Sequence, residues 1–143
     1  MPNIVERYRR KISGPIADRI DMWVHVSEMP PEKLAMRATR DDDETAHARA
    51  RVANARRVQS ERFARSHSVS TNADMGPKEI ESLVQLSSRA EQTLIEAARK
   101  MRLSARGYHR TIKLARTIAD LAASTTIEPA HMLEALQYRA REI

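Results

Sequence analysis

The chain places a cation in the first turn of a helix. Ser104 is a favoured N-cap residue type, and Leu103–Leu121 follows a helical period. Tyr108, Ile112, Ala115, Ala119 and Ala122 share one face, while Arg106, Arg110, Lys113, Thr117 and Asp120 share the opposite one. The spacing predicts one amphipathic helix with Arg106 at its start. A cation there opposes the helix dipole and costs on the order of a few tenths of a kcal/mol unless an anion lies close. Free backbone N–H groups beside a guanidinium make a ready phosphate site. The same arginine also suits the solvated surface of an ordinary bundle helix, and the local chemistry leaves both readings open.

Other chemistries find little support in the sequence. The three glycines stand apart at 14, 76 and 107, so no Gly-x-x-x-x-Gly-Lys-Ser/Thr loop is present to cradle phosphates. Histidines 25, 47, 67, 109 and 131 are scattered, with no pair at metal-ligand spacing, and His131 reads as structural in the first turn of its helix. Ser13 has no His/Asp constellation around it. With no cysteine, thiolate sites and disulfides are excluded. One Trp and one Phe give no platform for stacked bases. These absences argue against a self-contained enzyme.

The elements that must position Arg106 follow from composition and period. The chain has 143 residues, a net charge of +6, 41% hydrophobic and 3% aromatic residues. A core of Ala, Leu, Ile, Val and Met favours packed helices over sheet sandwiches. Of 25 basic residues, lysine stands only at 11, 33, 78, 100 and 113; the rest are arginine, the better fork for phosphate or carboxylate. No apolar run reaches membrane-spanning length and no secretory signal is visible, so a soluble cytoplasmic protein without membrane partners is expected.

Along the chain, residues 1–12 read as the end of a basic helix, Ser13-Gly14-Pro15 as a break, Ile16 to Asp21 as a turn, and Met22–Val26 as a strand. Residues 27–42 read as a linker, and Asp41–Glu44 as acids suited to a helix start. A helix over about 43–65 runs through Ala46, Ala50, Ala53 and Val58; its arginines form no single stripe, so no DNA groove is written into it. A loop over 66–76 precedes a short helix from Pro77 to about Gln85. Ser88-Arg-Ala-Glu91 has capping-box spacing and opens a helix with Ala90, Leu94, Ala97 and Met101 inward. The last helix starts near Glu128-Pro129, with Ile127 and Met132 at staple spacing and Met132, Leu133, Leu136 and Ala140 inward. The expected fold is mainly α: a helical bundle of four to five helices over 43–143, with a short N-terminal piece that includes one strand.

Several strings together resemble a known family. Lys11-Ile-Ser-Gly-Pro-Ile-Ala-Asp-Arg-Ile-Asp21, Arg51-Val52 with Ala55-Arg56 and Gln59, Leu103-Ser-Ala-Arg-Gly-Tyr-His-Arg110, Ala115-Arg-Thr-Ile-Ala-Asp-Leu121 and Glu134-Ala-Leu-Gln-Tyr-Arg139 occur in that order. They look like the C-terminal part of the magnesium-chelatase-like AAA+ ATPases, in the competence-protein (ComM) branch. The resemblance implies that residues 1–26 are the C-terminal edge of an AAA+ α/β core and 43–143 a helical lid. It implies that Arg19 is similar to an arginine finger acting in trans, and Arg106 to a sensor 2 arginine acting in cis on ATP. Arg110, one turn beyond Arg106, is a weaker candidate for the ATP phosphates. The family usually has glycine before Leu-Ser-Ala-Arg; here the residue is Arg102, which costs about 1 kcal/mol if the backbone is left-handed.

The resemblance further implies a parent that binds ATP and Mg, forms a ring of identical subunits (a hexamer) with the rest of the AAA+ core, and acts on DNA in branch migration during natural transformation. The P-loop, Walker B and sensor 1 regions would precede Met1, so a fragment or a truncated reading frame is expected, with no cofactor and no ATP hydrolysis for this chain alone. The alternatives are a stand-alone helical nucleic-acid-binding or adaptor protein, and a fragment of the magnesium-chelatase ATPase subunit itself.

Overall fold

The computed structural model describes residues 19–32 and 42–139. The basic segment 1–12, the break at Ser13–Pro15, most of the expected linker and Ala140 lie outside the described residues. Five α-helices lie wholly within them: α1 (Asp42–Arg62), α2 (Pro77–Leu83), α3 (Ser88–Lys100), α4 (Ala105–Leu121) and α5 (Pro129–Gln137). A 3-10 turn, Asn72–Asp74, sits between α1 and α2. The bundle is mainly helical, as composition and period predict.

α4 is the central helix. α1, the 3-10 turn, α2 and α5 all pack on it, and α3 packs on α5. Ile112, Ala115 and Ala119 face a core completed by Phe63, Leu94, Ile127 and Met132, among others. Alanines at 115 and 119 let neighbouring backbones come close, and burying the larger aliphatic side chains contributes roughly 1.5–3 kcal/mol each. Val69 and Met75, from the segment expected as plain loop, also enter this core. The loops before α3 and before α5 are clamped by one parallel bridge, Leu86 to Ile127, with Ser87 N donating to Ile127 O (3.0 Å) and Ile127 N to Gln85 O (2.8 Å).

Four expectations need correction. Met22–Val26 forms no strand: its described backbone bond is Trp23 N to Tyr138 O (2.8 Å), and Val24 and Val26 are exposed. A strand needs a neighbouring ladder, and the described residues offer none. The N-cap of α3 is Ser87 rather than Ser88; its hydroxyl accepts from Ala90 N, which leaves Ser88 in the first turn. Leu133 is 54% exposed, and Ala135 is buried beside Met132 instead. In α1, Ala46, Ala50 and Ala53 are exposed, while Ala55 and Gln59 are buried. The helix meets the bundle only through its C-terminal half, so its apolar positions earlier in the sequence have nothing to cover them.

Candidate functional site

The turn between α3 and α4 sets the start of α4. Leu103 N donates to Ala98 O (3.0 Å) and Met101 N to Ala97 O (2.8 Å), closing α3 with Arg102 at φ 47. This is a Schellman-type cap, which normally takes glycine because a Cβ is crowded in the left-handed region. Arg102 carries that strain. The chain then turns at Ser104, whose Oγ accepts from Gly107 N (3.0 Å) and caps α4.

Arg106 follows in the first turn. It is exposed, and no described residue forms an ion pair or hydrogen bond with its side chain. α4 has no acidic residue in its first turn to offset that charge. Gly107 is buried, and a Cβ there would stand 3.1 Å from Arg139 Nη2 and 3.4 Å from Ser104 Oγ. The glycine therefore leaves room for the Arg139 guanidinium beside the same helix start. Arg139 belongs to the last family string; a glycine in a helix, where alanine is the better former, is the signal in the sequence for this close approach.

Arg110, one turn on, lies mostly buried. Its Nε is 3.0 Å from Asp21 Oδ1. Arg19 lies in a turn and is exposed. Asp21, a natural partner for Arg19 by sequence, is engaged by Arg110. The structure thus brings Arg106, Arg110 and Asp21 to one end of α4, with Arg19 two residues from Asp21.

The other half of α4 departs from the expected solvated face. Asp120 and Arg116 are almost fully buried. Arg62 donates to both Asp120 oxygens (2.6 and 2.8 Å) and to Asn72 Oδ1 (2.8 Å). Asn72 Nδ2 donates to Asp120 Oδ2 (2.8 Å) and Thr117 Oγ1 (3.1 Å). Arg116 Nε reaches Asp120 Oδ1 (3.1 Å), and its terminal nitrogens donate to the carbonyls of Thr125 and Ser124. Those carbonyls face back because the chain reverses at Ala123, φ 55, with Ser124 N on Ala119 O (2.8 Å). Lys113 Nζ is likewise held by Ala73 O (2.7 Å) and Met75 O (3.1 Å). A central helix is covered on both sides, so its polar face is satisfied by protein rather than water.

Burial by itself raises the Asp120 carboxyl, but the hydrogen bonds from Arg62 and Asn72 and the positive charges of Arg116 and Arg62 outweigh it and hold the carboxyl below its ordinary range. Burial lowers the Arg116 guanidinium from its ordinary value, against the pull of Asp120. His131 also has a structural partner: its Nδ1 accepts Glu128 N (3.1 Å) at the start of α5. Among the described residues no group of three or more His, Asp or Glu side chains is placed to hold a metal ion. No helix among them is long and apolar enough to cross a membrane.

Comparison with known proteins meets this geometry at the family level. The family described as magnesium chelatase, subunit ChlI C-terminal, matches residues 42–139, and the magnesium chelatase, subunit ChlI, family matches residues 1–34. The chain belongs to the magnesium chelatase ChlI C-terminal family. It is 39% identical to the competence protein ComM of Haemophilus influenzae over 97% of its length. It is 32% identical to the uncharacterized protein YifB of Escherichia coli over 97%, and 33% identical to an uncharacterized protein of Mycobacterium tuberculosis over 93%. The chain spans 26% of each of these relatives. The matched ChlI C-terminal family covers the bundle, and the boundary between the two matched families falls in the segment that leads into α1.

Proposed function

We propose that this chain is the nucleotide-sensing C-terminal segment of a ComM-like AAA+ ATPase. Residues 1–26 form the edge of the α/β core, 27–42 a linker, and 43–143 the lid. The parent binds ATP and Mg, assembles as a ring of identical subunits, and works on DNA, with branch migration as the activity. Arg106 is the sensor 2 residue and contacts the γ-phosphate of its own subunit. Arg19 is the arginine finger and reaches the nucleotide of the neighbour. Such cations stabilise charge building on the transferred phosphoryl oxygens.

One observation carries this reading. Arg106 is exposed at a capped helix start, with no carboxylate among the described residues to neutralise it, in a protein that pairs Arg62 and the buried Arg116 with Asp120. An unpaired cation opposed to the helix dipole is unfavourable unless an anion completes it.

Mixed rings test the assignment. Arg106→Ala should disable hydrolysis at the site of the subunit that carries it. Arg19→Ala should disable the neighbour's site, so that Arg19→Ala subunits mixed with subunits that bind ATP but cannot hydrolyse it regain turnover. Turnover unchanged in both single variants would refute the reading. Binding of DNA by the chain with a steep salt slope, together with unaffected ATP turnover in both variants, would favour the stand-alone nucleic-acid-binding alternative.

A further inference from the structure

Arg110 and Asp21 join two parts of the molecule that lie far apart in the chain. Arg110 sits one turn beyond Arg106 on the same face of α4. Its Nε is 3.0 Å from Asp21 Oδ1, with Arg110 17% and Asp21 68% exposed. Two residues after Asp21, Trp23 N donates to Tyr138 O (2.8 Å), at the C-cap of α5. α5 packs along α4. Arg19 is therefore separated by only two residues, at most about 7 Å of chain, from an anchor on the helix that carries Arg106.

We propose that the Asp21–Arg110 ion pair and the Trp23–Tyr138 backbone bond form a relay that ties the finger segment to the sensor helix. Resting on the roles given above to Arg19 and Arg106, this makes each subunit's own nucleotide set the finger it offers to the neighbour. When the start of α4 moves toward its phosphate, Arg110 carries Asp21, and Asp21 carries Arg19. In this relay Arg110 and Asp21 act as positioning residues. A half-exposed ion pair contributes about 0–1 kcal/mol. That is weak enough to be remade in each cycle, and the backbone bond supplies the second point that fixes direction. Placement matters because a shift of about 1 Å in a catalytic group costs as much as 100-fold in rate.

Trp23 is the only tryptophan of the chain, so the tether can be read directly. In the 143-residue chain, Asp21→Asn and Arg110→Ala should each speed exchange of the Trp23 amide about two- to fivefold. Both should raise quenching of its fluorescence, and Arg110→Lys should retain most of the protection. In the full-length ring, Asp21→Asn should lower kcat about tenfold while leaving KM for ATP within about twofold. Arg110→Lys should again stay near the parent, and the double variant Asp21→Arg with Arg110→Asp should recover part of the loss. Unchanged Trp23 exchange in Asp21→Asn would overturn the relay. So would unchanged kcat in that variant when Arg19→Ala abolishes turnover, an outcome that leaves the Arg19 assignment standing. Unchanged turnover in Arg19→Ala and Arg106→Ala would instead overturn the functional reading and the relay with it, while altered exchange would still establish the tether as a structural contact.

Discussion

The two ends of α4 use arginine in opposite ways. Near the C-terminal end, Arg62 and Arg116 share the buried Asp120, and the excess positive charge is taken up by Asn72 and by the Ser124 and Thr125 carbonyls beyond the helix end. There the helix dipole itself favours cations. At the N-terminal end Arg106 has neither a favourable dipole nor, among the described residues, an acid, and it faces solvent. The first arrangement is complete within the protein and holds α1 and the 3-10 turn to α4. The second has no such partner among the described residues. The same side chain is thus buried and paired at one end of the helix and left to solvent at the other.

Breaking the satisfied end should have the largest effect on folding. Asp120→Asn leaves two guanidinium groups without their carboxylate and should cost about 3–5 kcal/mol in urea unfolding. Arg106→Ala should change stability by no more than about 0.5 kcal/mol, or raise it slightly, since it removes a cation from a helix start. Equal losses in the two variants would erase the distinction between the ends.

Acid should find the same asymmetry with a smaller effect. The Asp120 carboxyl is held below its ordinary range in the fold. Its contribution is therefore fully present above the unfolded carboxyl value of about 3.9 and is lost as pH falls from there toward the folded value. Unfolding midpoints should drop below about pH 4 in the parent and in Arg106→Ala alike, and less steeply in Asp120→Asn, which has no carboxyl to protonate.

The caps at the ends of α3 and α4 give the smallest change. Arg102 and Ala123 both occupy left-handed positions, so Arg102→Gly and Ala123→Gly should each stabilise by about 0.5–1 kcal/mol, the relief of strain exceeding the added freedom of the unfolded chain. Thermal midpoints check this, and a fall in either would show that the side chain contributes more than the backbone loses.

The sequence made one end of α4 far more legible than the other. Ser104 as N-cap and the Tyr108–Ile112–Ala115–Ala119 face follow from local period and side-chain chemistry, and both are observed; Ala122, read onto the same face, is instead the exposed C-cap. The left-handed Arg102 was visible as a residue standing where the family has glycine. The buried network was hidden because its members lie up to 58 residues apart, as with Arg62 and Asp120. Only the Arg116–Asp120 spacing of four could have pointed to it. By period alone Asp120 belongs on a solvated face; α1 and the 3-10 turn cover that face, and period carries no record of them. The Asp21–Arg110 contact was concealed for the same reason, and the strand read at Met22–Val26 reflected β-rich composition without a neighbour to pair with.

The most direct test is to measure ATP turnover of the full-length ring carrying Arg106→Ala beside the unfolding midpoint of the same variant chain. A fall in kcat of about 100-fold or more with an unchanged midpoint is the predicted result; parental turnover, or a loss of turnover explained by unfolding of the bundle, would contradict the account.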